Sequence, residues 1–274
     1  MDVYEELRRG NLEARLQFAS EQRECENFFV ELIKRKIWWQ VHGDITDNTE
    51  YMSHGKRART ESLRYQEYKD DGVSFGGKDT QSRSIFSLHQ VEVGSGEWNT
   101  VAELLKFSHN SVAARLCAIQ RVQNPELHAI WLGYMKDNPP EDPKIEFRIG
   151  YHGATCTSRW SSILSQGVQP ALCRHGKCGV GTFFAGDAAE SLNPGYAPSY
   201  TCRSDPETKK YCFIGLFACY AGKTKISLSA GGPIPKGYGS HGSQDSGPDC
   251  IPTAFCVQDY ARVYPAYMLT FAVR

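Results

Sequence analysis

The sequence has no CxxC pair, no apolar run long enough to cross a bilayer, and no excess of either sign of charge. Each absence removes a class of function. Lys plus Arg and Asp plus Glu number 31 each, so the formal net charge is zero. A dedicated nucleic-acid-binding domain, whose footprint is a basic excess, is therefore not expected, although a local basic patch stays open. The longest apolar stretch, Tyr211 to Ala221, falls short of the ~20 helical residues that span a membrane. No membrane span is expected. The opening MDVYEELRRG lacks the apolar core of a secretory leader, which leads to an expected intracellular location, cytoplasmic or nuclear. Without a leader, the ten cysteines are not expected to form a disulfide framework. Cys117, Cys212, Cys219 and Cys256 lie inside apolar runs, where free cysteine behaves as a small hydrophobe. Cys173-Arg174-His175-Gly176-Lys177-Cys178 fits no standard zinc spacing and reads as a loop, so no metal is expected. No internal repeat is visible. What is present, 274 residues with 41% hydrophobic and 23% charged, suffices for a buried core in one large domain or two small ones.

Composition divides the chain into three regions. Residues 1–42 are expected to hold a helical segment, since Leu12 and Leu16, then Phe28, Phe29, Leu32 and Ile33, recur at helical spacing. Asn11 after Gly10 is a plausible N-cap, and Trp38-Trp39 closes the run. The Lys34-Arg35-Lys36 cluster reads first as a solvated face of a docked helix. Residues 43–99 are polar and aperiodic, and read as a linker or loose arm with a short strand near Phe86 to Val93. Lys56-Arg57-Ala58-Arg59 in that arm reads as a solvated loop before a localisation signal.

From about residue 100 strands and short helices alternate. Val112 to Val122 reads as a strand running into Asn124-Pro125, with proline at the first turn of a helix from Glu126 to Lys136. Phe147 to His152 reads as a strand. Thr157 to Gln166 reads as a helix with Trp160, Ile163 and Leu164 on one face and Gly167 at its C-terminal cap. Tyr211 to Ala221 reads as a buried central strand. Residues 230–250, dense in Gly, Pro and Ser, read as one long loop, and Phe255 to Val257 and Tyr267 to Val273 as closing strands.

One ordered constellation carries chemistry. Gly150-Tyr151-His152-Gly153 ends a strand and precedes a helix. Gly179-Val180-Gly181-Thr182-Phe183-Phe184-Ala185 follows, then Ser191, Tyr196 and the closing Pro265-Ala266-Tyr267. Singly, each piece has a bland reading. A His-Gly at a strand end is usually a turn, His152 and Phe183 could be ordinary interior residues, and the glycines lack the spacing of a Walker loop.

In this order, residues 100–274 resemble the catalytic domain of the PARP-like ADP-ribosyltransferases. Ile119 to Leu127 is similar to that family's "I-x-x-I-x-N-x-x-L", Tyr151-His152-Gly153-Ala154 to its "F-H-G-T/S", Gly179 to Ala185 to its "G-K-G-I/V-Y-F-A", and Tyr264-Pro265-Ala266-Tyr267 to its "Y-P-E-Y". The resemblance implies an α+β fold with split, mostly antiparallel sheets around an NAD cleft, and an N-terminal helical extension. It implies that His152 hydrogen-bonds NAD, that the Gly153 main chain and the Ser191 hydroxyl hold the nicotinamide amide, and that Phe183 and Tyr196 sandwich the ring. Breaking the nicotinamide–ribose bond develops oxocarbenium charge, as in glycoside hydrolysis, so the site must hold the leaving group and stabilise that charge.

The chain departs from the family's His-Tyr-Glu triad. Phe183 stands at the second position and Ala254 at the third, and Ala154 replaces the usual Thr or Ser. Tyr196 falls two residues further from Ser191 than usual. Alanine cannot supply a carboxylate. Strand parity turns Asp259 away from the Ala254 face, and Gln258 shares that face about 13 Å along it. Asp245, Asp249 and Glu190 are the other candidates. The resemblance thus implies a mono-ADP-ribosyltransferase acting on a protein acceptor, or a nucleic-acid one. The alternatives are a degenerate module that binds NAD or a partner without turnover, and a fold relative with unrelated binding work.

Overall fold

The structure, a computed structural model, describes residues 86–108, 110–113, 115–141, 146–170, 173, 181–201, 210–226, 234–242 and 254–273. The helical segment expected in residues 1–42, the basic runs, His175, Cys178, Gly179, Asp245 and Asp249 lie outside the described residues.

Among the described residues, ten strands and a few helices make an α+β unit. In chain order they are β1 (Ser87–Gln90), α1 (Gly96–Ser108), α2 (Asn110–Ala113), β2 (Leu116–Gln123), α3 (Pro125–Asp137), β3 (Phe147–Gly153), α4 (Thr157–Gln166), β4 (Thr182–Ala185), α5 (Ala188–Ser191), β5 (Tyr200–Thr201), β6 (Lys210–Tyr220), β7 (Thr224–Ile226), β8 (Ser240–Gly242), β9 (Ala254–Val257) and β10 (Val263–Ala272). The strands follow the order β1-β2-β10-β6-β3-β4-β9-β8-β7, with β5 on β6. Among the described residues all pairings are antiparallel except β7 with β8.

Several expectations are corrected here. The boundary placed at residue 100 cuts through α1, and β1 in the supposed polar arm pairs with β2 from Ser87 to Gln90. Among the described residues the two expected sheets are one path, joined between β3 and β4 by a single residue pair, Tyr151 with Ala185. The strand expected from Val112 starts at Leu116, because Asn110–Ala113 is a helical turn. The supposed long loop over 230–250 contains β8.

The sheet separates two apolar layers. Its front layer holds Ile149, Tyr151, Ala185, Ile214, Leu216, Tyr267 and Leu269, covered by Val101, Leu104 and Leu105 of α1 and by Leu127 and Trp131 of α3. Its back layer holds Val122, Phe184, Phe213, Phe217, Phe255 and Met268, covered by Trp160 and Leu164 of α4. The period-two alternation of strand side chains produces both layers. No described helix is long and apolar enough to cross a membrane.

Asn124 ties the layers together. Its Oδ1 accepts from the Leu127 N–H at 3.0 Å and caps α3, as the Asn-Pro pair predicts. Its Nδ2 donates to the carbonyls of Leu164 at 2.8 Å and Ser165 at 3.2 Å, in the last turn of α4. Its own N–H donates to the Tyr264 hydroxyl, which in turn donates to the Val122 carbonyl. This residue is 1% exposed, so no water takes over these bonds without rearrangement. Asn124→Ala removes a cap worth about 1 kcal/mol and strands buried carbonyls at about 1–3 kcal/mol more. Urea unfolding is expected to show a loss of about 2–4 kcal/mol; a change within 0.5 kcal/mol, roughly the range of an ordinary surface substitution, contradicts the role.

Candidate functional site

The candidate residues collect where the sheet opens. Along β3, Tyr151 pairs with Ala185 of β4, and Ala185 pairs in turn with Ala254 of β9. Continued pairing would set Gly153 opposite Phe183. Instead the strands part, and the His152 side chain bridges the gap, its Nδ1 lying 2.8 Å from the Phe183 carbonyl oxygen. A carbonyl only accepts, so Nδ1 carries the hydrogen and Nε2 keeps its lone pair.

An aromatic cage on the back face fixes this imidazole. Trp160 and Phe217 meet it edge-on, with ring centroids 6.3 and 6.0 Å away, and Phe184 lies at 5.6 Å. Two glycines leave the room. A Cβ on Gly215, the cross-strand partner of His152, would stand 2.9 Å from the Trp160 indole, and one on Gly150 would stand 2.7 Å from Phe184. Burial among these rings pushes the His152 pKa below its ordinary value, and the Arg159 charge pushes the same way; the bond to Phe183 opposes both. His152 is thus held neutral, half-buried, with a defined tautomer.

On the front face, Gly153 brings the other candidates in. A Cβ there would stand 2.8 Å from the Ser191 carbonyl oxygen and 2.9 Å from that of Tyr196. Glycine is required because two backbones meet. α5 ends on Ser191, which is 4% exposed, and starts with Asp187 accepting from the Ala189 N–H at 2.7 Å. A turn from Asn193 to Tyr196 follows, closed by the Tyr196 N–H on the Asn193 carbonyl at 2.8 Å. The turn accommodates the longer Ser191-to-Tyr196 spacing, but leaves the Tyr196 side chain 55% exposed.

Phe183 and Ala254 also belong to the front face, since Phe183 pairs with Cys256 and Ala254 with Ala185, and cross-strand partners share a face. Both are half-buried. His152 takes the opposite parity, so its ring lies among the back-layer aromatics on the other side of the sheet from theirs, and only the Phe183 main chain meets it. Ala154 lies buried in the back layer. Of the residues weighed for the part of a carboxylate beside Ala254, Asp259 accepts from the Ala261 N–H at 2.9 Å, and the Gln258 amide oxygen accepts from the Ile234 N–H at 3.4 Å. Glu190 is exposed. Among the described residues no group of three or more His, Cys, Asp or Glu stands ready to hold a metal ion. Cys173 lies beside Thr182, its sulfur 3.4 Å from the hydroxyl oxygen.

The sequence reading missed the glycine-lined cage and the imidazole–carbonyl bridge. Gly150 and Gly215 gave a signal only as glycines inside strands, which mark close approach. Compared with protein-family models and with curated proteins, the chain matches none.

Gly153→Ala forces a methyl onto two carbonyl oxygens and is expected to destabilise by about 1–3 kcal/mol in urea unfolding. Gly133→Ala, in an open stretch of α3, is expected to stabilise by about 0.5–1 kcal/mol. Equal effects at both positions contradict the packing described. His152 adds a pH signature. Its folded pKa lies below the unfolded value of 6.5, so the unfolded chain takes up the proton first as pH falls. Stability is therefore expected to decline below that pH, and His152→Gln is expected to flatten the decline; an unchanged pH profile contradicts a neutral, caged imidazole.

Proposed function

We propose that this unit is an NAD-dependent mono-ADP-ribosyltransferase, which releases nicotinamide and passes ADP-ribose to a protein or nucleic-acid acceptor. The supporting observation is the packing of Gly153 against the Ser191 and Tyr196 carbonyls beside the His152–Phe183 bridge. Separate motifs of the PARP-like pattern thereby meet at one opening of the sheet.

Each group has chemistry suited to NAD. His152 Nε2, the free acceptor of a neutral ring, suits a ribose hydroxyl. The Gly153 main chain carries a donor and an acceptor of the kind the carboxamide of nicotinamide pairs with, and the Ser191 hydroxyl adds a partner for it. Phe183 offers a stacking face, worth about 0.5–1.5 kcal/mol beyond burial. The exposed Tyr196 ring closes over the nicotinamide only by swinging in from solvent.

Ala254 limits the product. It faces the same side as Phe183 with no carboxylate of its own to hold a ribose hydroxyl, so the terminal ribose is not activated for elongation. The same alanine favours a second reading, a module that binds NAD without turnover.

The full chain incubated with NAD labelled in the adenine is expected to release nicotinamide and to carry single ADP-ribose units on a gel. Ala254→Glu is expected to speed NAD cleavage by up to ~100-fold, the effect of one preorganised electrostatic contact. Long polymer from the parent overturns the mono-transfer reading. Binding without nicotinamide release selects the second reading, and neither binding nor release removes both.

A further inference from the structure

We propose that the β7–β8 end of the sheet is a docking surface for single-stranded nucleic acid; as the seat of the acceptor strand it deepens the transferase reading and rests on it. From Ala221 to Gln244 the chain carries Lys223, Lys225 and Lys236 and no Asp or Glu. The zero net charge of the whole chain conceals this local excess. Lys223 donates to Glu141 at 2.7 Å and is spent. Lys225 and Lys236 are exposed, and among the described residues neither is paired with a carboxylate. The Lys225 ammonium stands 5.7 Å from the centre of the Tyr238 ring, and Tyr238 is itself 40% exposed. Two unpaired cations thus accompany an aromatic ring open to solvent.

The fold holds this surface in shape. The Tyr238 N–H donates to the Pro235 carbonyl at 3.1 Å, closing a turn with Lys236 and Gly237 at its tip. Gly237 has φ +88°, the left-handed value that the third position of a type II turn requires, and a Cβ built there meets nothing within 4 Å. The tip therefore stands clear of the body of the protein. Behind it, the Gly239 N–H donates to the Lys223 carbonyl at 2.9 Å, and Gly239 packs on the Arg262 guanidinium, which sits over the Tyr134 and Tyr220 rings. Arg262 is committed to the frame. Lys225, His241, Cys256 and Phe183 stand in one row across β7, β8, β9 and β4. Paired residues share a face, so Lys225 belongs to the face of Phe183 and Ala254, three strand spacings or about 14 Å from Phe183.

The chemistry selects the partner. A single strand offers phosphates to the ammoniums and a flat base to the ring. An acidic peptide would use the lysines and leave the Tyr238 ring in water. A duplex would bring phosphates alone, since its bases are stacked within. Gly237 and Gly239, on either side of Tyr238, carry no side chain to screen its ring from a base. Two lysines and one ring neutralise few phosphates, so binding is expected to be weak and to fall as salt rises.

The test uses the full chain and a short fluorescein-labelled oligothymidylate, followed by anisotropy at several salt concentrations without NAD. Saturable binding is expected, the logarithm of its constant falling with that of salt. Lys225→Ala and Lys236→Ala together are expected to flatten that slope by about 1.4, at roughly 0.7 per phosphate contact. Tyr238→Ala is expected to weaken binding about 10-fold, and Tyr238→Phe, which keeps the ring, to stay within about twofold of the parent. An abasic oligomer is expected to bind the parent and Tyr238→Ala alike. The replaced side chains are exposed, so melting midpoints are expected to stay where they are. No saturable binding, an unchanged salt slope in the lysine variant, or a polyglutamate or duplex probe bound as tightly as the oligomer overturns the proposal. With NAD labelled in the adenine, the oligomer is expected to take up label. The lysine variant is expected to label it about 10-fold less while releasing nicotinamide as the parent does. A bound oligomer that stays unlabelled by a chain that cleaves NAD removes the acceptor role. A chain that binds the oligomer and does not cleave NAD keeps the docking surface and loses the transferase reading; a chain that cleaves NAD and does not bind the oligomer does the reverse.

Discussion

The site depends on one hydrogen bond, from the His152 Nδ1–H to the Phe183 carbonyl, made where β3 and β4 stop pairing as strands. An ordinary antiparallel ladder would close this seam with main-chain bonds. Here a side chain takes over the accepting carbonyl, and the main chain of Gly153 departs toward Ser191 and Tyr196. The sheet is thereby continuous through Tyr151 and Ala185 and parted beyond them. The same bond sets the tautomer of the imidazole and directs its remaining lone pair away from the protein partner.

Everything around that bond holds it in place. Trp160, Phe184 and Phe217 surround the ring, and Gly150 and Gly215 give those rings their space. Trp160 rides on α4, whose last turn is gripped by Asn124, and Asn124 is bonded in turn to Tyr264 of β10. A polar residue at the end of β2 thus helps position an imidazole at the end of β3. A second buried group serves the far side of the front layer. Arg121 donates to both oxygens of Glu97 at 3.0 and 2.9 Å, and the Tyr267 hydroxyl donates to the same carboxylate at 2.8 Å. Burial, with the Glu97 charge beside it, pushes the Tyr267 hydroxyl well above its ordinary pKa, so it stays a donor. These links explain why residues well apart in sequence act as one frame.

Elements with a strong local signal were legible in the sequence. β6 showed itself as an apolar run, α4 by its helical face and Gly167 cap, and α3 by Asn124-Pro125 at its start. His152, Gly153, Phe183, Ser191 and Ala254 were singled out by their order along the chain, each motif alone being weak. What stayed hidden is set by contacts distant along the chain. The bonds from Asn124 to Leu164 and Ser165 leave no trace in local pattern. β1 lies within the short strand expected near Phe86 to Val93, but the composition shift near residue 100 hid that β1 and α1 belong with the strands that follow. β8 is three residues in a Gly- and Ser-rich stretch, too short to display a period of two. The continuity of the sheet rests on one residue pair, below anything a sequence pattern reports.

The central claim is that the opening between β3 and β4 receives a nicotinamide ring. Nicotinamide titrated into the nitrogen-15-labelled full chain tests it without requiring turnover. The amide resonances of Gly153 and Ser191 are predicted to shift together and saturably, with the His152 ring nitrogens following, while Lys225 and Glu103, away from the opening, stay still. Shifts confined to residues elsewhere, or none at Gly153 up to saturating nicotinamide, would contradict the account.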